Sequence, residues 1–229
     1  MQQPAIPIRP SLFEQLRRDP EILTLIDKAD VVAASLGFTD HGRRHVTMVA
    51  VTAARLLRDL GHDERACDLA AVSGFLHDIG NAARRNTHAA IGASLAYQLL
   101  TARGSAPEDA ADVMSAIGNH DEVELGVPVS APGAALIIAD KAEVHRSRVR
   151  SRDPQTFDIH DKANYSVTKC ELEVDGPEHE IVLRLTMDES IASRHELGEL
   201  FAERFAMCEA AARFLGCDFS VIVNGTTLR

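Results

Sequence analysis

The sequence has few aromatic residues. It contains no tryptophan, and two tyrosines and eight phenylalanines bring the aromatic share to only 4% of 229 residues. Because 45% of the residues are nevertheless hydrophobic, a buried core must consist mostly of alanine, leucine, valine and isoleucine. Alanine and leucine have high helix propensity, so this composition favours closely packed helices.

The chain also lacks the patterns that mark secreted and membrane proteins. Its four cysteines form no CxxC motif, which is typical of reduced thiols in a cytosolic protein. No apolar run approaches the roughly 20 residues that a membrane-spanning helix requires, and no basic N-terminal stretch is followed by an apolar run. We therefore expect a soluble protein of the cytoplasm with no membrane partner.

The chain has fewer basic than acidic residues. Twenty-four lysines and arginines stand against 34 acidic residues, which gives a formal net charge of −10. The average surface of such a protein repels a phosphate backbone, so binding to nucleic acids is not expected. A small anionic substrate can still bind where a local basic patch or metal cations neutralise its charge.

The first 150 residues have the apolar spacing of helices. Positions such as Val46, Val49 and Ala53 recur every three to four residues. Asp40 and Asp63 are candidates for the N-caps of two of these helices. The predicted helices cover residues 11–19, 20–37, 41–60, 64–80, 88–104, 107–120 and 133–149.

The pattern changes after residue 150. Two strands, a helix and a closing strand are predicted at residues 165–174, 181–187, 193–215 and 217–225. The predicted fold class is therefore mainly α, with a helical bundle over residues 1–150 and a small C-terminal α/β (β-β-α-β) appendage over residues 151–229. We expect the appendage to cover an exposed helix face or to form a dimer contact. A lid that shapes a substrate pocket is the alternative.

A histidine–aspartate pair at the end of an apolar helix is the most informative motif. His77 and Asp78 follow the stretch AVSGFL, where polar side chains are costly to bury without a partner. Other imidazoles and carboxylates lie in or beside the predicted helices, at His45, His88, His120 and Asp140. Groups of this kind, drawn from several helices to one point, suit a bound transition metal.

These residues predict one or two ligand sets, with Asp78 as the bridge between two ions. The predicted ligands of the first site, besides Asp78, are His45, His77 and Asp140, and those of the second site are His88 and His120. Imidazole and carboxylate ligands suit one or two divalent transition-metal ions (Mn, Fe, Co, Ni or Zn) better than Ca or Mg.

A pair of such ions favours hydrolysis at phosphorus. Two close cations polarise a phosphoryl oxygen and lower the pKa of a bound water, which is the chemistry of phosphate ester and anhydride hydrolysis. A redox-active iron pair that activates oxygen uses the same ligand types, so the residues alone leave that reaction open.

The spacing of the motif is similar to that of a known family. His45, then His77-Asp78, then Asp140 resembles the H…HD…D signature of the HD superfamily of metal-dependent phosphohydrolases, over about residues 38–150. The resemblance implies an HD-domain helical bundle that binds metal through these residues. His88 and His120 match the members of the superfamily that bind two metals.

Finer detail resembles one group within that superfamily. The stretches HDIG, THAAIGASLA, SAIGNHDE and IIADKAEVHRSR are similar to bacterial HD enzymes that split diadenosine tetraphosphate symmetrically. The GYP tripeptide of HD-type cyclic-dinucleotide phosphodiesterases and the acidic pair of HD-type guanosine tetraphosphate hydrolases are absent. The resemblance therefore implies hydrolysis of a nucleotide or another small phosphorylated compound.

The remaining predicted site residues are basic. Lys141 is predicted to act with Asp78 in catalysis and to neutralise substrate phosphate, and Arg44, Arg146 and Arg150 are predicted to bind the substrate. Two other functions stay open, a non-catalytic HD nucleotide-sensing module and an HD-type di-iron oxygenase. A homodimer also stays open.

Overall fold

Ten helices and a four-stranded sheet make up the described part of the chain, residues 11–122 and 126–228 of a computed structural model. The helices are α1 (Leu12–Leu16), α2 (Pro20–Ser35), α3 (Arg43–Asp59), α4 (Glu64–Leu76), α5 (His88–Ala102), α6 (Pro107–Gly118), α7 (Ala131–Lys141), α8 (Ile159–Ser166), α9 (Arg194–Leu200) and α10 (Ala202–Phe214). The strands are β1 (Val167–Asp175), β2 (Glu180–Met187), β3 (Asp218–Val223) and β4 (Thr226–Thr227). The predicted mainly helical fold with a small α/β appendage is confirmed, and the sheet means that the chain is not all-α. Residues 1–10, to which the expectation of no leader refers, lie outside the described residues.

Two predicted helix starts have different outcomes. Asp63 is the N-cap of α4, because its carboxylate accepts a hydrogen bond from the backbone N–H of Ala66 at 2.8 Å. Asp40 is not the cap of α3, whose N-cap is Gly42 without a side-chain bond. The Asp40 carboxylate instead accepts from the Gly42 N–H at 3.0 Å, so it forms a turn just before the helix.

The sheet joins an antiparallel hairpin to a parallel strand. Its order is β1-β2-β3-β4, with β1 and β2 antiparallel, β2 and β3 parallel, and β3 and β4 antiparallel. Helices α9 and α10 form the crossover between the parallel strands. Asn224 and Gly225 form the turn between β3 and β4, and both have positive φ values, of 48° and 79°, as a tight hairpin turn requires.

The C-terminal part packs against the helical part. The main hydrophobic core runs through α1–α7 and includes Ile181 of β2 and Cys208, Ala211 and Ala212 of α10. A second cluster lies between the sheet and α9–α10 and includes Val144, which follows α7. The two parts share buried surface, and the division at residues 150 and 151 stays a prediction.

Membrane insertion has no candidate helix. None of the helices among the described residues combines the length and the apolar character that a bilayer span needs.

Two glycines permit the close packing that positions the HDIG segment. A Cβ atom on Gly74 of α4 would lie 2.8 Å from the backbone of Ala50 in α3. A Cβ atom on Gly80 would overlap the carbonyl oxygen of His88 and lie 2.6 Å from the backbone nitrogen of Gly92 in α5. These contacts are shorter than side chains permit, so glycine is required at both positions.

The substitution Gly80→Ala is expected to destabilise the protein, since the new methyl group forces the HDIG segment away from α5. Overpacking of this kind lowers the free energy of unfolding by about 1–3 kcal/mol or more. Urea denaturation followed by circular dichroism measures the change. Gly118→Ala is the control, because its Cβ would meet only the side chain of Ala93 at 3.6 Å. Equal stability of the two variants would contradict the packing account.

Candidate metal centre

Six side chains from five helical segments meet in the interior. His45 lies in α3, His77 and Asp78 follow α4, His88 begins α5, His120 follows α6, and Asp140 lies in the last turn of α7. All six are buried, with exposed fractions between 0% and 5%. The structure therefore brings together every residue that the sequence predicts as a metal ligand.

The ring nitrogens of the four histidines face one another in two pairs. His45 Nε2 and His77 Nε2 are 3.3 Å apart, and so are His88 Nε2 and His120 Nε2. Two ligand nitrogens that are each about 2.1 Å from one ion lie about 3.0–3.4 Å apart when the angle at the ion is between 90° and tetrahedral. The observed separations fit one ion for each pair.

The other ring nitrogen of each histidine has a partner outside the cluster. His77, His88 and His120 each donate from Nδ1 to the backbone carbonyl three residues earlier, at 2.8, 2.9 and 2.6 Å. His45 donates from Nδ1 to the carboxylate of Glu143. These bonds place the proton of a neutral imidazole on Nδ1 and direct the Nε2 lone pair into the cluster. Facing lone pairs repel unless a cation or a proton lies between them.

Asp78 connects the two histidine pairs. Its Oδ2 is 3.6 Å from His45 Nε2 and 3.3 Å from His77 Nε2, and its Oδ1 is 3.5 Å from His88 Nε2. Oδ2 is buried and has no hydrogen-bond partner among the described residues. A buried carboxylate oxygen without a partner is costly, and a metal ion would satisfy it.

Asp140 completes the first pair from the other side. Its Oδ1 is 3.4 Å from His45 Nε2 and 3.7 Å from His77 Nε2. Its Oδ2 is 2.9 Å from the Lys141 ammonium. Three overlapping groups could each hold an ion, namely His45, His77 and Asp78; His77, His120 and Asp140; and Asp78, His88 and His120.

The acids of this cluster require a positive charge at its centre. Burial and Arg148 disfavour the charged form of His45, but Glu143, Asp140 and Asp78 outweigh them and raise the pKa of His45 to about 10. Burial also opposes ionisation of Asp78, but the neighbouring histidines hold its pKa well below the usual range. A proton on Nε2 or a divalent cation can supply that charge. The donor set therefore fits a divalent metal, whose identity the ligand types do not fix.

Asn81 and Glu143 position two of these ligands from outside the cluster. Asn81 donates from its side-chain amide to Asp78 Oδ1 at 2.8 Å and to the Asp78 backbone carbonyl at 3.0 Å. Glu143 accepts the Nδ1–H of His45 and also pairs with Arg44 at 2.7 Å. Glu143 was not predicted from the sequence, although it lies three residues after Asp140, a spacing that puts two side chains on neighbouring positions of a helix.

Glu143→Gln is expected to weaken metal binding, since the neutral amide holds the His45 ring less firmly and makes it a poorer ligand. Loss of such an outer partner typically lowers metal affinity ten- to a hundredfold, as an order of magnitude. Competition with a chromogenic chelator measures the dissociation constant. The control is Glu173→Gln, an exposed residue of β1 that pairs with Arg184. A Glu143→Gln protein with wild-type affinity would show that His45 is oriented without this carboxylate.

The predicted basic residues lie at different distances from the cluster. Lys141 is buried beside it, where its ammonium contacts Asp140 and Glu122. Arg44 pairs with Asp40 and Glu143 and lines a separate groove between α3 and β1. Arg44 therefore faces this groove and its two carboxylate partners. Its predicted contact with a substrate at the cluster stays a prediction.

Arg146 and Arg150 are also directed elsewhere. The Arg146 guanidinium lies over the ring of Tyr165 at 5.1 Å. Arg150 pairs with Asp30 and donates to the backbone carbonyls of Phe38 and Thr39, so it fastens the loop that precedes α3. Both side chains are held away from the cluster by these contacts, and their phosphate-binding roles stay predictions. The helix ends at Lys141, and the chain turns there.

A cavity of about 460 Å³ opens beside the cluster. Arg85 lines it and places a guanidinium nitrogen 4.0 Å from Asp78 Oδ1. Arg148, Arg204 and His41 line it as well. Arg85 and Arg204 carry no motif, and their approach to the cluster depends on how distant segments pack.

Comparison with known proteins agrees with this geometry. Residues 42–145 match the HD domain family model, and all six residues of the cluster lie in that range. The uncharacterized protein MJ1020 of Methanocaldococcus jannaschii is 24% identical over an alignment of 218 residues. The match covers 84% of this chain and 82% of the relative. That similarity extends beyond the matched domain. The match and the buried cluster together show an HD domain at residues 42–145 of the chain.

Proposed function

We propose that the protein is a metal-dependent phosphohydrolase that cleaves a phosphoester or phosphoanhydride of a nucleotide or another small phosphorylated compound. The observation that carries the proposal is the bridging position of Asp78 between two pairs of histidine nitrogens. Divalent ions in such a site polarise a phosphoryl oxygen and lower the pKa of the water that they bind. The HD domain supports the same conclusion.

The residues of the chain hold and orient the ligand groups. The backbone carbonyls and Glu143 keep the Nδ1 protons of the histidines outside the cluster, and Asn81 fixes the Asp78 carboxylate. Lys141 remains charged, because Asp140 and Glu122 outweigh burial and raise its pKa. A charged lysine and the guanidinium of Arg85 at this position would offset the negative charge of a substrate phosphate.

The cavity has the size and the lining that a small phosphorylated compound needs. Ligand pockets commonly measure about 300–1,000 Å³, and this one measures about 460 Å³. Arginines line one side of the cavity. Leu36 and Phe38 lie at its rim and are 57% and 39% exposed. Exposed apolar side chains at a pocket rim suit a ring such as a nucleobase.

The proposal is tested by loading the purified chain separately with Mn, Fe, Co, Ni and Zn and assaying each form. The panel contains nucleoside monophosphates, dinucleoside polyphosphates, cyclic phosphodiesters and sugar phosphates, and the released phosphate or nucleotide is measured. Metal-dependent release from at least one class is expected, and the same protein treated with a chelator is the control.

Three results would overturn the proposal. They are metal-loaded protein that hydrolyses no member of the panel, nucleotide that binds tightly and is recovered unchanged, and oxygen consumption by the iron form. The second result would assign a sensing module, and the third would assign an oxygenase.

A further inference from the structure

The C-terminal part forms one wall of the cavity beside the metal centre. His160 and Asn164 of α8, Phe201 at the junction of α9 and α10, and Arg204 of α10 line that wall. They lie outside residues 42–145, which match the HD domain. The helices of the appendage, rather than its strands, therefore reach the candidate active site.

Arg204 contributes a guanidinium to this wall. Its Nε is buried without a hydrogen bond, and within the described ranges its guanidinium makes no ion pair with a carboxylate. The guanidinium carbon lies over the Phe201 ring, 5.2 Å from its centre, so the ring packs against the guanidinium. Arg213, in the same helix, instead has Glu209 at 3.8 Å. A partly buried arginine with unused donors is expected to bind an anion.

Arg148 contributes a second set of donors to the same cavity. It is only 3% exposed, and its guanidinium donates to the backbone carbonyl of Asp40 at 3.0 Å. Its contact with Glu143 is long, at 3.7 Å, and its Nε has no hydrogen-bond partner. Arg148 is thus held in place by the backbone and keeps one buried donor unused.

The charges of these arginines act on each other. Burial lowers the pKa of Arg148, and the charge of Arg204 lowers it further against the opposing effect of Glu143. Like charges held close together in a partly buried cavity are relieved by an anion.

The carboxylates of the cavity do not supply that anion. Glu122 pairs with Lys141. Asp158 caps α8 by accepting the backbone N–H of Asp161 at 2.8 Å. Asp161 and Glu203 also line the cavity. None of the four carboxylates is within ion-pair distance of Arg148 or Arg204 among the described residues, so the unused donors remain for a ligand.

We propose that Arg148 and Arg204 form a subsite for a phosphate group of the substrate, so that the C-terminal part completes the cavity of the HD domain. The inference rests on the proposed function, because it assumes that the cavity receives a phosphorylated substrate. It adds that two arginines outside residues 42–145, which match the HD domain, supply phosphate contacts. Arg204 is a substrate-binding residue that contributes to affinity and lies outside the set of metal ligands.

The experiment measures the binding of pyrophosphate to the full-length, metal-loaded chain by isothermal titration calorimetry. The variant is Arg204→Gln, which replaces the guanidinium and its charge with a neutral amide on a shorter side chain. The dissociation constant is expected to rise about ten- to a hundredfold, the effect of losing a hydrogen bond to a charged group. Bound metal per chain is expected to stay at the wild-type value. Arg204→Lys is expected to recover part of the affinity, and Arg213→Ala is the matched control on the same helix.

Wild-type pyrophosphate affinity in Arg204→Gln would overturn the inference, and so would an equal loss of affinity in Arg213→Ala. The result is separable from the proposed function. A chain that binds pyrophosphate through Arg204 but hydrolyses nothing contradicts the proposed function alone. A chain that hydrolyses a phosphoester with the same KM in wild type and Arg204→Gln contradicts the phosphate subsite alone.

Discussion

Replacing Asp78 with asparagine is expected to lower kcat/KM for a phosphorylated substrate by at least about a thousandfold, which corresponds to about 4 kcal/mol. Asn keeps the shape of the side chain but removes the charge that faces both histidine pairs. The amide also places N–H donors where a cation would bind. One substitution therefore disturbs both predicted sites. No other single substitution in the cluster is expected to disturb both sites to the same extent.

The measurement compares steady-state kinetics and metal content of the wild type and Asp78→Asn. Asp63→Asn is the matched control, because Asp63 caps the same helix, α4, and asparagine is an equally good N-cap. The control is expected to keep wild-type activity and metal. Hydrolysis by Asp78→Asn at more than about a tenth of the wild-type rate would show that Asp78 does not join the two sites.

Removing the metal is expected to lower the melting temperature by about 10 °C. Binding at about a thousand times the dissociation constant stabilises a folded protein by about 4 kcal/mol, and a chain of this size shifts by about 2–4 °C for each kcal/mol. The physical reason is that, without a cation, Asp78 Oδ2 is buried with no hydrogen-bond partner among the described residues and the imidazole nitrogens face one another in pairs. The free energy of unfolding is then lower, because these groups stay buried without partners.

Differential scanning calorimetry before and after treatment with a chelator tests this expectation. Adding back a divalent ion is expected to restore the original melting temperature. Asp78→Asn serves as the comparison, since its melting temperature should hardly respond to the chelator. A wild-type protein that loses its metal and melts at an unchanged temperature would show that the cluster is stable without a cation.

The six residues of the cluster were predictable because their order resembles the H…HD…D signature and because each lies in or beside a segment with helical apolar spacing. The helices around His45, His77 and His88 follow from apolar spacing, and the HD pair follows an apolar stretch that ends at Leu76. Pro107 marks the start of α6 as predicted. In each case neighbouring residues decide the structure, so the sequence alone is sufficient.

The wall of the cavity was not predictable because long-range packing decides it. Helix α8 and the approach of Arg204 to Arg148 depend on where α10 packs against α7, and no local pattern encodes that contact. The prediction that α7 continues to residue 149 was wrong. After Ala142 the chain turns so that Glu143 reaches His45 and Arg148 reaches the Asp40 carbonyl, and these tertiary bonds outweigh the local helical spacing.

The number of metal ions bound per chain shows whether the six buried side chains form a two-metal site. Elemental analysis of wild-type protein, saturated with Mn or Zn and freed of unbound metal, is expected to give about two ions per chain. His88→Ala removes a ligand from one pair only and is expected to retain about one ion. Wild-type protein that retains no metal under these conditions would contradict the account, because the six buried side chains would then have no shared ligand.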